Sequence, residues 1–229
     1  MVNTPLKIVQ AYQTRWMSIE SVVCRILDQW LELKTHFSIV QNEERCFAAQ
    51  TLYGMYQDEQ NCALLWFLRD ILTEVQRINK LFESNDANPT KLHSELVSLI
   101  ETLVSKITIP RFNKINIFKE NIKNYLDKRC HLGYKFESIL QKLKDDNHLR
   151  EEDENYLRER AINFVGKLIE ELKSRLPENL EVMEKVSYIS VGNSFSHNKP
   201  SLVPLLQFFN KPEQDIDPIE NLSRIHLIE

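Results

Sequence analysis

The sequence predicts an all-α fold, a multi-helix bundle, and three observations carry that expectation. Apolar residues recur at three- and four-residue spacing through most of the chain, the period that lines one face of a helix. Only 4 of the 229 residues are glycine, too few for a turn-rich or sheet-rich fold. Breaks fall at clusters such as Ser84-Asn85-Asp86-Ala87-Asn88-Pro89, spaced so that long uninterrupted runs lie between them. At this length one domain can bury enough surface to stand without disulfides or metals.

Taken in order, Leu6 to Tyr12 alternates weakly and can form one short N-terminal strand, so residues 1–16 read as a strand-and-loop lead-in. Thr14-Arg15-Trp16-Met17-Ser18 then opens an amphipathic run from Ile19 to Val40, with Ser18 positioned to cap its first turn. A second helix runs to about Tyr56. Asp58-Glu59 open a third, whose stripe includes Leu64, Phe67, Leu68, Ile71 and Leu72. Thr90 is placed to cap a fourth, carrying Leu96, Leu99, Ile100, Leu103, Val104 and Ile107, and Pro110 lies beyond its end. Short connections between these helices predict roughly antiparallel neighbours.

Gly133 separates two expected helices, one around 118–128 and one around 136–143. Asp145-Asp146-Asn147 precedes a long helix with Glu151, Glu152, Asp153 and Glu154 at its start and Lys167, Lys173 and Arg175 near its end, an order that complements the helix dipole. Its stripe reads Leu149, Tyr156 or Leu157, Ala161, Phe164, Leu168 and Leu172. The helical domain therefore spans 17–193. From residue 194, Pro200, Pro204, Pro212 and Pro218 predict an irregular tail. Within it, residues 202–209 are apolar enough to dock on the bundle itself, on a protein partner or on a second copy.

The net charge of −4 gives no global attraction to nucleic acid or anionic membrane. No run approaches the ~18 apolar residues of a membrane span, so no membrane partner is expected. Cys24, Cys46, Cys62 and Cys130 are scattered without a C-x-x-C pair, which suits a reducing intracellular compartment; Cys24 and Cys62 read as small buried apolar residues. No Cys/His set has zinc-ligand spacing, and no phosphate-binding glycine loop or nucleophile elbow is present, so no cofactor is expected.

Residues 111–144 differ from the rest. They hold nine Lys/Arg against three Asp/Glu, an excess of six in a chain of net −4, interleaved with Phe112, Phe118, Tyr125, Tyr134 and Phe136. Cations neutralise phosphates and rings stack on bases, which makes Arg111, Lys114, Lys119, Lys123, Lys128, Arg129 and Lys135 candidate DNA contacts. The same pattern also fits a solvated face over core aromatics. Trp16 beside Arg15 has a similar double reading, as a core contact ahead of a helix or as a platform for a base.

Thr14-Arg15-Trp16-x-Ser18, followed by a helix with Trp30-x-x-Leu33-Lys34, resembles the hAT-superfamily DNA transposases, particularly their domesticated animal members. Leu64-Leu65-Trp66-Phe67-Leu68, Asn79-Lys80-Leu81-Phe82, Leu132-Gly133, Arg175-Leu176-Pro177 and Val182-Met183 extend the likeness over about residues 6–226. The resemblance implies an RNase H-like core interrupted by a large all-α insertion, with three acidic residues binding two metal ions. Two of those acids, with a Cys-x-x-His motif, belong upstream of Arg-Trp, and the third belongs downstream in a block associated with dimerisation. It therefore implies that this stretch is the insertion, that it supplies no catalytic acid and is no enzyme by itself. It also implies a nuclear location, and that Trp16, with Arg15 beside it, touches DNA.

Overall fold

In a computed structural model, residues 16–43, 46–83, 89–110, 120–175, 182, 184–190, 193, 196 and 198–224 are described. Their architecture is all-α, with no strand among the described residues. The expected strand over 6–12 lies outside them. The helices are α1 (Trp16–Asp28), α2 (Trp30–Glu43), α3 (Phe47–Gln57), α4 (Glu59–Glu83), α5 (Pro89–Ile107), α6 (Tyr134–Asp145), α7 (Glu151–Arg175), α8 (Val203–Phe208) and α9 (Glu213–Arg224).

The main core forms where the widest stripes meet. α5 buries Leu96, Leu99, Ile100, Leu103, Val104 and Ile107, an i, i+3, i+4, i+7 series facing inward along its whole length. Phe67, Ile71 and Ile78 of α4, Phe136, Leu140 and Leu143 of α6, and Leu157, Ala161, Val165 and Ile169 of α7 complete it. Of the two residues open at the start of α7, Leu157 is buried and Tyr156 is exposed. A smaller cluster joins Val23 and Leu27 of α1 to Leu72 of α4.

Several sequence expectations need correction. The run from Ile19 to Val40 is two helices that meet at Gln29, though the Gln29 N–H to Arg25 and Leu33 N–H to Gln29 hydrogen bonds carry the ladder across the joint. The joint serves two partners. α1 packs on α4 through Val23 and Leu27, while α2 turns Trp30 and Phe37 onto Tyr56 of α3, with ring centroids 4.6 and 5.6 Å apart. Ser18 and Thr90 both lie inside their helices, because α1 already starts at Trp16 and α5 at Pro89. Proline suits a first helical position, since its missing N–H would have no partner there.

No helix covers 118–128 among the described residues. Residues Ile122–Tyr125 form a single 3-10 turn, and Leu126 pairs with Thr108 in an antiparallel bridge that folds the segment back over the end of α5. Gly133 caps α6 at φ +114°, a conformation that favours glycine, and a Cβ there would also displace the Asp70 carboxylate, 2.8 Å away.

The tail expected to be irregular holds α8 and α9 instead. Pro204 occupies the first turn of α8 and Pro212 precedes α9, positions where proline removes no internal bond; only Pro218 sits inside a helix. Leu205, Leu206 and Ile216 are buried, and the Glu220 carboxylate accepts from the Leu202 N–H (2.7 Å) and from Arg224 (2.8 Å). No helix among the described residues is long and apolar enough to cross a membrane.

Candidate functional site

Trp16 is the first described residue of α1, while Arg15, Arg111, Lys114 and Lys119 lie outside the described residues. Lys123 is exposed on the 3-10 turn and pairs with Glu170 of α7 at 3.0 Å. Lys128 is exposed beside it in sequence, and Arg129, also exposed, stands 4.0 Å from Glu151 at the other end of α7. Glu151 and Glu170 are 19 residues apart, roughly 28 Å along the axis at 1.5 Å per residue. Lys123 and Arg129 are thus strung along α7 and do not converge. Lys135, in the first turn of α6, lies over the Trp66 ring at 5.4 Å, with Arg69 over the same ring at 4.7 Å. The local excess of cations is met in part by acids from α7.

The other part of the charged surface is a clasp centred on Arg158, half-buried in α7. Its Nε donates to Glu154 (2.9 Å), Nη1 to Glu137 (3.0 Å) and to the Cys130 carbonyl (3.1 Å), and Nη2 to the second Glu137 oxygen. Glu137 also accepts from the Leu132 N–H (3.0 Å), and Lys144 closes on Glu154. Burial opposes both carboxylates, but the hydrogen bonds from Arg158, with Leu132 N–H for Glu137 and Lys144 for Glu154, outweigh it and hold both below the usual carboxylate range. Those two partners hold Arg158 above its ordinary value. Burial pushes the neighbouring Cys130 thiol up to about 11. A cavity of about 530 Å³ adjoins the clasp, lined by Arg129, Lys144, Glu151, Glu154 and Arg158, all paired with one another. Its chemistry is structural: it ties residues 130–133 and α6 to α7.

Among the described residues no three His, Cys, Asp or Glu side chains are grouped to hold a metal ion. The four cysteines are free thiols; Cys130 is buried, whereas Cys24 and Cys62, expected inside, are only half-buried.

An apolar groove of about 510 Å³ lies between α3, α4 and α7. Leu64, Leu65, Phe67 and Leu68 of α4 form its floor. Leu52, Met55 and Tyr56 of α3 make one wall, supported by Ile26 and Trp30; Arg160, Ala161 and Phe164 of α7 make the other. Asn61, at one edge, is occupied: its amide donates to the Met55 carbonyl at 3.0 Å and fastens α3 to α4. Arg160 is the one charged residue lining the groove. The α2–α3 hairpin that walls it is thinly covered. α2 has no buried residue, and Leu31, Phe47 and Met55 are 70%, 81% and 53% exposed. α3 carries no charged residue at all.

Residues 202–209, expected to dock on the bundle or on a partner, are mostly α8, which buries Leu205 and Leu206 and leaves Phe208 and Phe209 exposed. The sequence reading missed the groove, because it draws on five helices; the one local sign was the absence of charge from 47–57. Compared with known family models, curated proteins and solved structures, the chain finds no match.

Proposed function

We propose that this chain is the helical part of a hAT-transposase-like protein, performing no DNA cutting of its own, and that it acts by binding a protein partner. Support for the descent comes from Arg15-Trp16 preceding the body of α1 in sequence and from the all-α character of the described residues after it. One observation carries the binding activity: the α2–α3 hairpin exposes large apolar side chains beside an apolar groove, a surface that in a free-standing domain costs solubility and earns it back only when covered. On this reading the hairpin is the working surface and the α4–α7 core is its support. A nuclear site of action follows from the descent.

The test is site-specific photocrosslinking in cells. A benzophenone amino acid at Phe47 or Met55 should couple the chain to a discrete partner, while the same group at Glu101, exposed on α5, should not. Equal, diffuse coupling from all three positions removes the reading.

A second reading, DNA binding, is favoured by the full exposure of Lys128 and Arg129 within a stretch of net positive charge. It predicts mobility shifts with duplex or hairpin DNA that weaken steeply with salt and that fall on Trp16→Ala. Absent or salt-insensitive binding at low ionic strength eliminates it.

A further inference from the structure

We infer that the groove docks an amphipathic helix from a partner protein, and that this helix carries an acidic residue placed to meet Arg160. The inference rests on the protein-binding reading above and adds the chemistry of what is bound.

Backbone accounting selects a helix. The groove is walled and floored by helices, whose backbone groups bond within each helix, and no sheet edge exists among the described residues. An extended peptide laid on Leu64, Phe67 and Leu68 would find no partner for its own N–H and C=O groups. A helix brings those bonds with it and offers side chains at i, i+3/i+4 and i+7 to a trough of this kind.

Charge selects the acid. The α3 wall is uncharged and the floor is apolar, and Arg160 is the one charged side chain among the described residues that line the groove. Its guanidinium rests over the Tyr156 ring, 5.7 Å from the centroid, and pairs with no carboxylate among the described residues. Its N–H donors therefore stay available, and a carboxylate accepts two of them at once. A nucleic-acid strand, by contrast, needs several cations in a row, which this groove does not offer.

The experiment is a selection of displayed 16-residue helical peptides against the full chain, followed by titration of the enriched sequences as synthetic peptides. Enriched peptides should combine large apolar residues at helical spacing with an Asp or Glu on the same side. Their affinity should fall about tenfold on Arg160→Gln and be lost on Met55→Lys. Both positions are exposed, so the variants should fold as the parent does, checked by circular dichroism. Peptides that depend on Met55 yet lack an acid and ignore Arg160→Gln overturn this inference and leave the protein-binding reading standing. Peptides indifferent to both substitutions, or no enrichment at all, overturn both.

Discussion

Arg158 shows how much a single side chain can organise without touching the groove. Its side chain is 12% exposed and spends its donors on Glu137, Glu154 and a main-chain carbonyl, so removing it strands carboxylates already taken from water. Arg158→Met should cost about 3 kcal/mol in urea unfolding at pH 7, the low end for a broken buried pair because the Leu132 N–H and Lys144 remain. The pH dependence has a definite sign. Glu137 and Glu154 are depressed, so the stability they lend is fully present above the unfolded carboxylate value of ~4.3 and fades as pH falls through their lower folded values. The gap between parent and variant should therefore close in acid. A loss below about 0.5 kcal/mol at pH 7, no more than a surface substitution costs, would show that the clasp stabilises nothing. None of this was legible beforehand. Glu154 sits in a run of four acids that dipole logic places at a helix start in solvent, and which of the four would turn inward depends on where α6 brings Lys144.

Between residues and molecule, the helices divide into those the sequence declares and those it hides. α4, α5 and α7 carry stripes long enough to be read directly, because α5 and α7 each face the main core and the wide stripe of α4 serves both clusters. The run from Ile19 to Val40 changes partner midway, and a periodicity of constant spacing says nothing about that, so the joint at Gln29 was invisible. Prolines in the tail misled for a related reason: their cost depends on position within a helix, and spacing alone does not place them. Pro218 is the exception that can be measured. It lies at the sixth residue of α9 and removes the N–H that would bond to the Gln214 carbonyl. Pro218→Ala should restore that bond and firm α9 by about 1–3 kcal/mol, seen as slower amide exchange over 217–224. Faster exchange there would mean that the ring sets a bend on which the Ile216 contact depends.

At the scale of the molecule, the tightly packed α4–α7 core and the thinly covered α2–α3 hairpin are separated along the chain. The helical class is legible in the apolar period and the scarcity of glycine, but the groove exists only after α1, α2, α3, α4 and α7 have assembled, and no local pattern announces a surface built from five segments. The basic stretch illustrates the converse: of its described cations, Lys123 and Arg129, near in sequence, stand at opposite ends of α7 and are met by Glu170 and Glu151. The same separation predicts a gradient of local opening. Amides in α5 lie behind six buried side chains, whereas α2 buries none and is held by Trp30 and Phe37 against Tyr56. Native-state hydrogen exchange should place α5 and the inner turns of α4 and α7 near the global unfolding free energy, with α2 opening at a cost lower by roughly 3 kcal/mol or more. Such a hairpin can adjust its wall to an incoming helix while the floor stays fixed, so occupancy of the groove should raise protection in α2 and α3 selectively. Uniform protection from α2 through α7 would instead make the hairpin part of one cooperative unit, and the groove a rigid slot.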